Sequence, residues 1–273
     1  MTLINRGLDG LTVPDRAPVA PVAPWPPVLL TTPSKPIGVG RRGFLGVAFA
    51  SGAAVLAATP GSLSAASPPP GVSCVDSPRD LLDTALAAEL LAATFYYTGL
   101  TAPTIHATTP PRAHGYGDIG FLRGALTQEM AHVDTLRALG ATQRADRFYF
   151  PRSTFDHLGS TRDAWSFLWV LDHLETAFVG AYLAAAARLG ALGHNDLALL
   201  ALRVLEVECE HRTLGRVVAG DDPADNVAFE VDSFACGVDA AAALTPYLTG
   251  RGFPGGPIVT IAISTAAQIR AIA

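Results

Sequence analysis

Along four stretches of this chain, apolar residues recur at spacings of three and four, which predicts four amphipathic helices. The first covers about residues 79–100, with Leu82, Ala85, Leu86, Ala92, Ala93 and Tyr96 in its stripe and Gly99 and Pro103 as stop signals. The second covers about 119–139, with Leu122, Ala125, Leu126, Val133 and Leu136, and ends at Gly140. The third covers about 161–189, with Leu168, Leu171, Phe178, Val179 and Tyr182, before Gly190 and Gly193 break it. The fourth covers about 195–218, with Asn195 as N-cap and Gly220 past its end.

The first and third connections are short to moderate. The middle one, about residues 141–160, carries Phe148, Tyr149, Phe150 and Pro151 as covering groups and is long enough to cross a bundle. The expected fold is therefore all-α: an up-down four-helix bundle over residues 77–220, made of two helical hairpins and one long crossover. Residues 221–273 read as an extension with a short helix near 238–248. Its apolar, glycine-led tail from residue 255 either packs on the bundle or serves a partner.

Residues 1–66 show no helical period. A proline- and valine-rich stretch leads to Arg41-Arg42, an uncharged run from Phe44 to Ala58, and small residues at Ser64-Ala65-Ala66. A run of roughly 15 residues is short for a membrane span, which takes about 20. With paired arginines before it, it reads as a disordered extension followed by a twin-arginine export signal. An uncleaved anchor and, through Cys74, a lipoprotein are weaker alternatives, because Gly71 does not suit a lipobox.

Composition narrows the function. Of 273 residues, 49% are hydrophobic and 16% charged, which suits a large core rather than a disordered chain. The net charge is -5, and without residues 1–66 there are 14 basic against 22 acidic residues, a net of -8. Nucleic acid is not expected as a partner, since phosphate binding needs a basic patch. The three cysteines, Cys74, Cys209 and Cys236, form no Cys-x-x-Cys motif. Cys74 and Cys236 flank the helical region and either pair in an oxidising compartment or stay unpaired.

The chemistry lies where charge interrupts the apolar stripes. Glu89 falls between Leu86 and Ala93, Glu129 between Leu126 and Val133, Glu175 between Leu171 and Phe178, and Glu208 between Val204 and His211. Each helix thus turns one glutamate inward. A lone buried carboxylate costs several kcal/mol at least, on the order of what cations or partners must offset. Divalent cations remove both the burial cost and the mutual repulsion. Glu129-Met130-Ala131-His132 and Glu208-Cys209-Glu210-His211 are both Glu-x-x-His, which puts an imidazole on the same helical face as the carboxylate. Glutamate, Glu-x-x-His, glutamate, Glu-x-x-His on successive helices is the ligand order of dinuclear carboxylate bundles. Tyr96 and Tyr182 each stand seven residues after a single glutamate, which suggests an internal repeat of hairpins. Glu206 and Glu210 share a polar side with Arg203 and Thr213, and His173 faces away from Glu175. His106, His114, His157 and His194 lie in expected loops or at helix ends.

The segments Ala88–Tyr97, Glu129–His132, Glu175–Tyr182 and Glu206–His211 resemble the bacterial ferritin-like domain family that includes plant desiccation-related proteins. Phe234–Leu248 fits its C-terminal segment loosely, so the resemblance spans about residues 77–250. It implies a ferritin-like bundle, often behind a twin-arginine signal, and brings no established reaction. Relatives with all six ligands include rubrerythrins and manganese catalases; the absence of paired cysteine motifs excludes a complete rubrerythrin.

Two function classes follow. One is an exported protein holding two iron or manganese ions on Glu89, Glu129, His132, Glu175, Glu208 and His211, an oxidoreductase for peroxide or dioxygen. The other is a non-catalytic envelope protein for stress or drying that uses the same scaffold. The expected partners are a small-molecule oxidant and, through the apolar tail, further copies of the chain. No membrane contact is expected beyond the export signal. Cage-type iron storage is the weakest reading, because the C-terminal region does not read as a fifth packing helix.

Overall fold

The computed structural model describes residues 74–108, 118–225, 227–231 and 233–272. The expected extension and export signal, and with them most of the first connection, lie outside these residues. Four long helices form the scaffold: α1 (Pro78–Thr101), α3 (Asp118–Ala138), α4 (Phe167–Ala191) and α5 (Asn195–Ala219). A short α2 (Pro103–Thr108) follows α1. Further along come β1 (Arg147–Pro151), α6 (Gly237–Ala243), α7 (Thr245–Thr249), β2 (Ile258–Ala262) and α8 (Ala266–Arg270). Among the described residues no helix is long and apolar enough to cross a membrane.

Cross-helix contacts fix the directions. Glu89 meets His132 and Asp83 meets Thr142, so α1 and α3 run antiparallel. Tyr96 meets Glu175 and Tyr182 meets Glu89, so α1 and α4 run antiparallel. Gln128 meets His211 while His132 meets Glu208, and α3 and α5 are antiparallel too. Asp172 with Arg216, and Glu175 with His211, give the same for α4 and α5. Helices α3 and α4 therefore point the same way from opposite corners, and residues 139–166 must travel the length of the bundle to join them. That is the expected up-down bundle with one crossover.

Local chemistry explains most boundaries. Ser77 and Asp80 form a capping box at the start of α1. Gly220, at φ +80°, ends α5 in the left-handed region. Other expectations need correction. Gly99 does not stop the first helix; it lies inside α1, where a Cβ would meet the Phe167 ring at 2.1 Å. The third helix starts at Phe167, not near Thr161, because Ser166 accepts from the Trp169 amide and Trp165 sits at φ +68°. Asn195 is the first residue of α5, and His194 occupies the cap position without a side-chain cap bond. The short helix expected at 238–248 is two, divided at Leu244 ahead of Pro246.

The largest departure from the expected all-α fold concerns the crossover and the tail, which form strands. Arg147–Pro151 pairs antiparallel with Ile258–Ala262, Phe148 opposite Ile261 and Phe150 opposite Val259. Phe148 and Phe150 point into the core and are fully buried. Phe150 joins Phe95, Phe155 and Phe167, the last stacked on Phe95 at 4.4 Å. The tail thus packs on the bundle, and Ile269 of α8 is buried with it.

Buried charges pin the ends. Asp83 accepts from the Thr142 amide at 2.7 Å and from Arg144 at 2.7 and 3.1 Å, and these partners hold its carboxyl below the usual range despite burial. Arg216 donates to Asp172 at 2.6 Å, and buried Arg212 pairs with Glu230. Cys74, Cys209 and Cys236 are free thiols, though the Cys74 thiol bonds to the Ala235 carbonyl at 3.4 Å beside that of Cys236.

Candidate metal centre

Halfway along the bundle the four inward glutamates and two histidines converge. Glu89 from α1, Glu129 and His132 from α3, Glu175 from α4, and Glu208 and His211 from α5 are brought together, as their helical register predicted. All are 2% exposed or less except His132. They form two overlapping groups whose donor atoms lie within 4.8 Å of one another: Glu89, Glu129, His132 and Glu208; and Glu129, Glu175, Glu208 and His211.

The shared members are Glu129 and Glu208, and each divides its oxygens. Nδ1 of His132 faces Glu89 Oε2 at 3.2 Å, Glu208 Oε1 at 3.3 Å and Glu129 Oε2 at 3.7 Å. Nδ1 of His211 faces Glu129 Oε1 at 3.0 Å, Glu208 Oε2 at 3.4 Å and Glu175 Oε1 at 3.9 Å. The two Glu-x-x-His carboxylates therefore span the centre, and the two single glutamates close its ends. Tyrosines hold those end carboxylates. The Tyr96 hydroxyl donates to Glu175 Oε1 at 2.6 Å, and the Tyr182 hydroxyl donates to Glu89 Oε1. Each tyrosine stands on the helix of one single glutamate and reaches the other, so the internal repeat has a physical consequence.

Electrostatically the cluster is unfinished. Burial, with Glu208 nearby, raises the Glu129 and Glu175 carboxyls well above their usual range. Burial also opposes the Glu208 anion, but both imidazoles hold that carboxyl at about 2. Burial opposes a charge on His132, yet Glu129, Glu208 and Glu89 push it up to about 12; His211 is raised by Glu208 and Glu175 against the same opposition. Without cations the cluster is tolerable only because Glu129 and Glu175 are pushed towards their protonated forms. Among the described residues, both oxygens of Glu129 and of Glu208, Oε2 of Glu175 and Nδ1 of His211 have no hydrogen-bond partner of good geometry. Unpaired buried atoms of this kind cost about 1–3 kcal/mol each, more when charged. Oxygen and imidazole donors converging on two points are what divalent cations satisfy, and four carboxylates balance two of them.

The remaining candidates lie elsewhere. Glu206 and Glu210 are exposed on the far side of α5. His173 stacks on Trp169 at 3.7 Å, and exposed His157 pairs with Asp163 at 2.5 Å. His114 lies outside the described residues, as does the side chain of His106. Sequence reasoning missed Gln128, whose amide oxygen meets Nε2 of His211 at 2.8 Å. No apolar stripe flags it, since it is exposed; its one signal is its position immediately before Glu129.

An antiparallel helical bundle with a long crossover and a central carboxylate–imidazole cluster is the architecture of ferritin-like proteins. The chain belongs to the ferritin-like domain family, whose match covers residues 77–221. No curated protein and no solved structure matches the chain.

Proposed function

We propose that this protein is an exported di-metal oxidoreductase that holds two iron or two manganese ions between Glu89, Glu129, His132, Glu175, Glu208 and His211 and acts on peroxide or dioxygen. The observation that carries the reading is the division of labour in the shared pair: Glu129 and Glu208 each turn one oxygen to each histidine. Carboxylates arranged in this way could serve two cations, one beside each histidine. Iron or manganese bound there supplies two accessible oxidation states in an oxygen-rich setting.

The chain's own residues do the rest. Glu89 with His132 and Glu175 with His211 complete the two ends. Tyr96 and Tyr182 fix the end carboxylates and keep a hydroxyl proton at each. Apolar side chains around the cluster, Leu86, Leu126, Leu171 and Phe178 among them, exclude bulk water. The side chain of His132 is 13% exposed against 1% for His211, so a small oxidant reaches the centre from the His132 side and a large substrate does not. Export is supported by the Arg41-Arg42 pair and the uncharged run behind it.

Elemental analysis of protein produced with iron and with manganese tests the reading. About two cations per chain are expected, together with peroxide consumption. Glu129→Ala with Glu208→Ala should abolish both. Less than about one cation per chain with all six residues intact refutes it.

A further inference from the structure

The two halves of the cluster repeat each other except at one position. Gln128, immediately before Glu129 on α3, places its amide oxygen 2.8 Å from Nε2 of His211 on α5. The matching residue of the second hairpin, immediately before Glu208, is Val207. Valine has no hydrogen-bonding side chain, and among the described residues Nε2 of His132 meets no partner, while its Nδ1 faces the carboxylates. In the bonds made by the ligand set, the internal repeat is therefore broken on the outer side of the two imidazoles.

We propose that Gln128 is a positioning residue that makes the two cation positions unequal. Its oxygen accepts the Nε2 proton of His211 and so leaves Nδ1 aimed at Glu129 and Glu208. This orients the ring with Nδ1 towards the cluster before any cation arrives. An amide does so without adding a further carboxylate to the cluster. The His211 position is thereby preorganised, and His211 is 1% exposed. The His132 ring is held only from its inner side and is 13% exposed. The His211 position fills first and releases its cation last, and the His132 position exchanges. The order of filling rests on the di-metal reading; the orientation of His211 does not.

Titration of the full chain with Mn(II) tests the first part, using wild type, Gln128→Val, Gln128→Glu and Val207→Gln. Wild type should bind in two distinguishable steps. Gln128→Val should weaken the tighter step by roughly ten- to a hundredfold, the usual effect of losing an outer-shell partner. Gln128→Glu keeps an acceptor oxygen and should retain the tight step. Val207→Gln should tighten the weaker step. Because Gln128 is exposed, its variants should still fold, and Gln128→Val should lower the cation-free thermal midpoint only by the loss of one hydrogen bond. Unchanged two-step binding in Gln128→Val overturns the proposal. Should wild type bind no Mn(II), the di-metal reading falls, and nitrogen-15 NMR of the cation-free protein decides the orientation separately. The Nε2 proton of His211 should exchange slowly with water in wild type and Gln128→Glu, and rapidly in Gln128→Val. Equal exchange in all three refutes the positioning role.

Discussion

At the scale of single residues, the buried cluster costs the fold stability. Glu175 is buried and its carboxyl is raised well above the usual range, first by burial and then by Glu208. Glutamine there mimics the protonated acid. Glu175→Gln should stabilise the cation-free protein at neutral pH by about 1–3 kcal/mol, because it removes the cost of protonating a carboxyl that is ionised in the unfolded chain. The same change should weaken cation binding at the His211 end. Thermal melts with and without Mn(II) check both effects, and a cation-free midpoint below wild type contradicts the argument. The pH dependence has a definite direction. Glu129 and Glu175 hold protons in the native state above their unfolded value of 4.5, and His132 holds one up to about 12 against 6.5 unfolded. Their stabilising contributions are complete below 4.5 and 6.5 respectively and are lost as pH rises through the native values. Glu208, held at about 2, contributes above 4.5 and loses that only as pH falls towards 2. The cation-free melting temperature should therefore fall from about pH 5 to about pH 9. Saturating Mn(II), which displaces these protons, should flatten that decline. These six residues were legible because a charge on an apolar stripe violates the helical pattern. Gln128 violated nothing, being a polar residue on an exposed position.

Among the elements, close approach matters as much as capping. The Phe167 ring lies over Gly99, with its Cε2 2.1 Å from where a Cβ would stand, and stacks on Phe95. Gly99→Ala should displace that ring and destabilise the fold by about 1–3 kcal/mol, measured by chemical denaturation. A gain in stability, as expected for alanine in an unobstructed helix, would show that Gly99 makes no such contact. Sequence periodicity located the four helices but misjudged the start of α4, because residues 161–165 are compatible with a helix locally. What excludes them is tertiary: Ser166 caps the next turn, and its hydroxyl donates to the Ser160 carbonyl at 3.1 Å. Helix α1 also exceeds its expected stripe. Leu90 and Leu91 are buried along with Leu86, because α3, α4 and α6 all contact it.

At the scale of the whole molecule, β2 of the C-terminal tail pairs with β1 and clamps the crossover onto the bundle. Removing residues 255–273 takes away β2 and α8, uncovering Phe148, Phe150 and the site of Ile269. The truncated protein should melt at lower temperature and bind a hydrophobic dye. An unchanged melt would mean that the tail only rests on the surface. The hairpins, their antiparallel order and the six inward side chains followed from the sequence, because a helix writes its faces into residues three and four apart. The strand pairing, the Gly99–Phe167 contact and the Gln128–His211 bond were decided only by the tertiary structure. Each joins residues far apart in the chain, and no local periodicity encodes which distant segment completes a strand, fills a missing Cβ or accepts a proton.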